Sequence, residues 1–218
     1  MKVYYDELLE YKEPRLHPYK AGNESKTGYI DFKAYPGLIT EVLEDFNPFN
    51  HWSAIQKFYE VLKQINGVSS YLETSDCQFR GPTLNKDRIS DLKLRATGRL
   101  FLLFRDLQLN CSNEHSNWLC QRLLTVIDNI DSELTEKAGV IGFSLCPILH
   151  VELSNGSWDT KGKYHVDGDD PGYGFHLMLS FWAYGDDEAM VNTNLYRIFE
   201  NIGSACQMLN EEIIESQG

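Results

Sequence analysis

Apolar residues recur along this chain with two different periods, and the switches between them predict the order of elements. In "NHWSAIQKFYEVLKQING", residues 50–67, Trp52, Ile55, Phe58, Tyr59, Leu62 and Ile65 return every three or four positions. That spacing lines up one stripe of an amphipathic helix. Asn50 is the expected N-cap and Gly67 the expected stop. Residues 117–137 carry a second stripe, Trp118, Leu123, Leu124, Ile127, Ile130 and Leu134, ending before Gly139. Residues 194–214 carry a third, Leu195, Ile198, Phe199, Ile202, Cys206 and Leu209. Between these helices the period falls to two. "RLFLLFRDLQL" from Arg99, "VIGFSLCPILHVEL" and "GFHLMLSFWAY" each read as strands, the second with an irregularity at Pro147, which cannot donate to a ladder.

Upstream the pattern is weaker. Residues 11–28 are polar and broken by Pro14, Pro18, Gly22 and Gly28, which predicts a loop or extended arm. Residues 1–28 are therefore expected to be an N-terminal arm of a single domain spanning 1–218. "YIDFKAY" predicts a strand and "GLITEVLEDF" a helix ended by Pro48. Residues 68–98 predict a short strand and a connection, with a turn at Gly81-Pro82.

The C-terminal order is thus strand, helix, strand, strand, helix. No helix separates the strands at roughly 140–153 and 174–184, so they are expected to pair as an antiparallel hairpin. The pattern predicts an α+β fold, an antiparallel sheet covered on one face by amphipathic helices. The connection at residues 155–173 is expected to lie exposed, because Gly156, Gly162, Gly168, Gly172 and Pro171 disfavour a helix or a central strand.

Composition narrows the function classes. The chain has 218 residues, 42% of them apolar, enough for a real core. No apolar run reaches the ~18–20 residues that span a membrane. Asp6, Glu7 and Glu10 interrupt the start, so a secretory signal is not expected and a cytoplasmic location is. Cys77, Cys111, Cys120, Cys146 and Cys206 are scattered, with no Cys-x-x-Cys pair, and read as spectator thiols and not as a disulfide or zinc framework. Cys111 and His115 offer a nucleophile and a base, but their spacing says little about contact.

Charge changes the picture more. Twenty basic residues stand against 32 acidic ones, for a net −12. The segment 160–218 holds Lys161, Lys163 and Arg197 against ten acids. Such a surface repels phosphate backbones, which disfavours nucleic-acid binding, and it steers a basic protein partner inward.

The chemistry-bearing stretch is "YHVDGDDPGYGFH", residues 164–176. His165 and Asp167 are two apart in it. His150 and Glu152 precede it, and His176 follows. Alternation places His150, Glu152 and His176 opposite the apolar faces of their strands. Three histidines and two carboxylates suit a divalent metal, and a metal-dependent, hydrolase-like enzyme using His150, Glu152, His165, Asp167 and His176 is one reading. The spacing departs from known ligand sets: no histidine follows His176, and as a calcium loop the stretch has Pro171 at a ligand position and Met178 at the closing glutamate. The favoured expectation is a non-catalytic acidic binding protein without a cofactor. An inhibitor or immunity-type protein acting on a basic partner is its concrete form. Asp167, Asp169, Asp170, Trp182, Tyr184, Asp186, Asp187 and Glu188 are its expected contact residues, since aromatics beside acids suit a protein interface.

Overall fold

The computed structural model describes residues 1–5, 14–18, 30–131, 134–169 and 172–217. Along them run β1 (Lys2–Tyr5), β2 (Arg15–His17), α1 (Ile39–Val42), α2 (Ser53–Ile65), β3 (Leu72–Leu84) and β4 (Leu94–Phe104). Then follow α3 (Leu107–Asn110), α4 (Asn113–Ile130), β5 (Gly139–His150), β6 (Gly156–Trp158), β7 (Tyr164–Val166), β8 (Tyr173–Gly185) and α5 (Glu188–Gln217). The main sheet has the order β1-β5-β8-β4-β3, and β2 also pairs with β5. The expected pairing is present: β5 runs antiparallel to β8 in unbroken register from Gly139↔Ala183 to Leu149↔Tyr173. β4 pairs antiparallel with both β8 and β3, while β1 and β2 join β5 in parallel. The fold is α+β, a mostly antiparallel sheet with helices packed on it.

The helices lie on one face because only that face is continuously apolar. Leu177, Leu179, Phe181 and Ala183 of β8 and Leu100, Leu102 and Phe104 of β4 belong to the same cluster as the buried residues of α2, α4 and α5. Phe58 of α2 sits at its centre, stacked on Phe46 at 4.8 Å and tilted against Phe199 of α5 at 4.6 Å.

Several elements differ from expectation for identifiable reasons. Residues 30–35 of "YIDFKAY" do not form a strand: residues 32–34 turn, and the Tyr35 N–H bonds back to the Asp31 carbonyl at 3.0 Å. The predicted helix over residues 37–46 shortens to α1, and Pro48 lies in a separate 3-10 turn, Asn47–Phe49. Asn50 does not cap α2; its Oδ1 accepts from the Tyr59 hydroxyl, and the Ala54 N–H is taken by Asn192 of α5. The strand expected to run to Leu109 ends at Phe104, because Asp106 caps the short α3 and Asn110 pairs with both backbone polar groups of Phe104 at 2.8 Å. α4 starts earlier than expected, at Asn113, where Ser112 caps it, and ends at Ile130; Trp118 is exposed, stacked beside Phe104.

The largest departure is β3. Thirteen residues form a strand where a short one and a turn were expected. Gly81-Pro82 is no turn: the register shifts there between Arg80 and Thr83, a bulge that tolerates a residue without an N–H on an edge strand. A Cβ at Gly81 would lie 2.0 Å from Phe49 Cζ, so any larger residue there must displace that ring.

The sheet is strongly curled. β2 and β3 are four strand steps apart, about 19 Å in a flat sheet. Yet Arg15 Nη1 of β2 lies 2.8 Å from Asp76 Oδ2 of β3, and His17 Nε2 lies 3.6 Å from Glu73 Oε1. The two edges meet through their side chains across the face opposite the helices. A second bulge in β3, between Thr74 and Asp76, bends that edge inward.

Candidate functional site

This concave face is where the polar chemistry collects, and it has a closed end and an open end. At the closed end β2 lies over β5 and β3. His17, Glu73, Ser75, His150 and His176 are all buried there. Glu73, 1% exposed, is held by the Lys33 ammonium and approached by His17. Ser75 is the extra residue of the bulge, and its Oγ lies 3.0 Å from His176 Nδ1. The His176 ring stacks on Phe101 at 4.4 Å, and His150 meets the His17 ring edge-on at 5.6 Å. Neither ring nitrogen of His150 has a hydrogen-bond partner among the described residues. Burial, then the nearby His17, pushes His150 down to about 4. Burial, then Arg15, His17, His150 and Arg99, pushes His176 well below its ordinary value. Both rings are therefore neutral at pH 7.

At the open end the register explains a cleft. One row across the sheet reads Arg80, Thr97, Trp182, Val140; the next reads Gln78, Arg99, Ser180, Gly142. Long side chains flank small ones, so the middle of the two rows is a depression. Its volume is about 270 Å³, and its lining includes Gln78, Arg80, Thr97, Arg99, Ser180 and Trp182. Tyr4 of β1 lies over Gly142, where a Cβ would come within 2.6 Å of its ring, and reaches Trp182 at 6.2 Å between centroids. Gly142 thus lets Tyr4 brace the indole.

The electrostatics of this cleft run against the rest of the chain. Arg15, Arg95, Arg122 and Arg197 are each paired with a carboxylate. Among the described residues Arg80, Arg88, Arg99 and Arg105 have no carboxylate partner; Arg105 bonds the Gly67 and Val68 carbonyls instead, and of the four only Arg80 and Arg99 line the cleft. Arg80 and Arg99 are diagonal neighbours across β3 and β4, about 7–8 Å apart, close enough for both guanidiniums to meet on one anion. Arg99 is also steadied over the Phe101 ring at 5.4 Å. The lining contains hydroxyls, an amide and an indole but no histidine, cysteine or carboxylate. Its chemistry is recognition of negative charge.

The residues singled out from the sequence are dispersed. His150 and His176 share the closed end. Glu152 is exposed in the turn after β5, and His165 of β7 is exposed and bonds Asp159 through Nε2 at 2.9 Å. Asp167 is exposed, its N–H given to the Asn155 carbonyl. Among the described residues no group of three or more histidine, cysteine, aspartate and glutamate side chains is placed to hold a metal. The connection over 155–173 is not plain loop, because β6 and β7 pair within it. Asp169 is exposed, and Asp170 lies outside the described residues. Trp182 walls the cleft. Tyr184 is 0% exposed, its hydroxyl donating to Asp87 at 3.1 Å, so it offers no surface to a partner. Asp186, Asp187 and Glu188 are exposed where β8 enters α5, with Asp187 accepting from the Met190 N–H. Cys111 is half-buried and His115 is exposed on the first turn of α4. Burial pushes the Cys120 and Cys206 thiols up to about 12.

Arg80, Arg99, Gln78, Thr97 and Ser180 were not read as a site from the sequence. One signal was present: Arg95, Thr97 and Arg99 form a polar period-two stripe in a strand whose other face is core. Comparison with protein-family models, with curated proteins and with solved structures finds no match for this chain. Among the described residues no helix is long and apolar enough to cross a membrane.

Proposed function

We propose that this is a non-catalytic binding protein that captures a small anionic ligand in the cleft on the concave face of its sheet. The observation that carries this reading is that Arg80 and Arg99 line one cleft whose lining holds no carboxylate, in a chain of net charge −12. Leaving them unneutralised is sensible when the counter-ion comes from outside. Each charge-assisted hydrogen bond is worth about 1.5–3 kcal/mol, so losing one guanidinium weakens binding roughly ten- to hundredfold. Phosphate, sulfate and acetate, titrated at constant ionic strength, should each raise the melting temperature saturably. Arg80→Gln and Arg99→Gln should abolish that rise. Absence of saturation with all three anions, or equal response in the variants, overturns the reading.

A second reading keeps the acidic surface as the working face: an inhibitor or immunity-type protein docked on a basic partner. It is favoured by Asp186, Asp187 and Glu188, consecutive and exposed at the β8–α5 junction. Charge of this kind accelerates encounter with a basic surface and is screened by salt. Asp167 and Asp169 precede the other end of β8, about 40 Å away along the strand, so the partner takes the 186–188 group alone. Replacing those three with Asn, Asn and Gln should remove any salt-sensitive capture of a basic protein. Capture indifferent to salt and to the replacements rejects this version.

A further inference from the structure

We infer that the ligand of the cleft carries its anionic group on a planar aromatic or heteroaromatic ring, which lies against Trp182. This rests on the reading of Arg80 and Arg99 as an anion site and adds the other half of the ligand. The register puts Trp182 in the same row as Thr97 and Arg80, one strand beyond Thr97, and diagonal to Arg99. The indole therefore stands across the small floor of Thr97 and Ser180 from both guanidiniums. A group held by the arginines projects its carbon skeleton toward the indole.

Three features of that wall favour a ring over an aliphatic chain. Trp182 is half-buried and braced by Tyr4, tilted 33° from it, so an aromatic surface is held in place before any ligand arrives. Met178, two rows from Trp182 on the same strand, lines the same cleft with a polarisable thioether, which packs well against ring edges. The volume of about 270 Å³ has room for one or two fused rings with an acidic substituent. Aromatic pairs gain beyond their buried area when offset-stacked or edge-on, and a preorganised wall avoids the cost of ordering it.

Titration calorimetry at constant ionic strength tests this with five probes: acetate, cyclohexanecarboxylate, benzoate, inorganic phosphate and phenyl phosphate. The expected result is that benzoate binds about tenfold tighter than acetate, and phenyl phosphate about tenfold tighter than phosphate. Cyclohexanecarboxylate, equally apolar but not planar, should gain less. Trp182→Leu should bring the benzoate-to-acetate and phenyl phosphate-to-phosphate affinity ratios down to near one, whatever it does to acetate and phosphate binding themselves. Saturation transfer from the indole protons to bound benzoate reads the same contact on the unaltered protein, whatever the variant's folding. If acetate and phosphate bind but the aromatic acids bind no tighter, or no transfer is seen, this inference is overturned while the anion site stands. If none of the five binds, the anion site itself is rejected.

Discussion

The closed end predicts a stability that falls on mild acidification. His150 is fully buried, with no hydrogen-bond partner for either ring nitrogen among the described residues, and is pushed down from 6.5 to about 4. The unfolded chain therefore takes up a proton between those two values that the folded chain refuses, so stability is greatest above the unfolded value and is lost as pH falls toward 4. For this ring alone the loss between pH 7 and pH 5 is about 1.8 kcal/mol. His176 is shifted in the same direction by burial and by Arg15, and adds a loss of the same sign. The expected drop over those two pH units is therefore no smaller than the His150 contribution of about 1.8 kcal/mol. Stopping at pH 5 keeps most carboxylates, with ordinary values near 4, out of the titration. Urea midpoints measured every half unit, for the wild type and for His150→Leu, read the effect. The variant should lose less stability on acidification by about 1.8 kcal/mol, and should be little altered at pH 7, since leucine strands no polar atom there. A wild-type midpoint that is flat from pH 7 to 5, or a variant with the full wild-type slope, refutes the reasoning.

Three further outcomes follow from single contacts. Lys33→Met leaves the Glu73 carboxylate buried without its ammonium partner, and should cost about 3–5 kcal/mol in chemical denaturation at pH 7, whereas adding Glu73→Leu to it should recover most of that loss. Gly98→Ala places a methyl 2.4 Å from the Gln78 carbonyl oxygen and from Phe181 Cζ, so the β3–β4 ladder must shift; a fall in melting temperature of several degrees is expected in differential scanning calorimetry. Asp167→Asn with Asp169→Asn removes two exposed charges and should move the melting temperature by no more than the equivalent of about 0.5 kcal/mol, which a thermal scan resolves.

What the sequence determines here is what one buried face can write into a period. α2, α5, β5 and β8 are legible because each places one side against the core, so apolar residues recur every 3.6 or every two positions. The pairing of β5 with β8 follows from the lack of a helix between them. β3 hides for the opposite reason: one face packs Leu72 and Phe79 inward, while the other presents Glu73, Asp76, Gln78 and Arg80 to the concave side, and two bulges break the alternation. Tertiary structure alone decides the rest. β8 lies between β5 and β4 in space, so Arg80, Arg99 and Trp182 become neighbours although they are distant in the chain. The curl that brings His17 to Glu73 arises from bulges and twist summed over five strands, a property no local window contains. A local pattern records which face of each element is buried. It does not record which elements are adjacent, and both the cleft and the buried histidine cluster are made by adjacency.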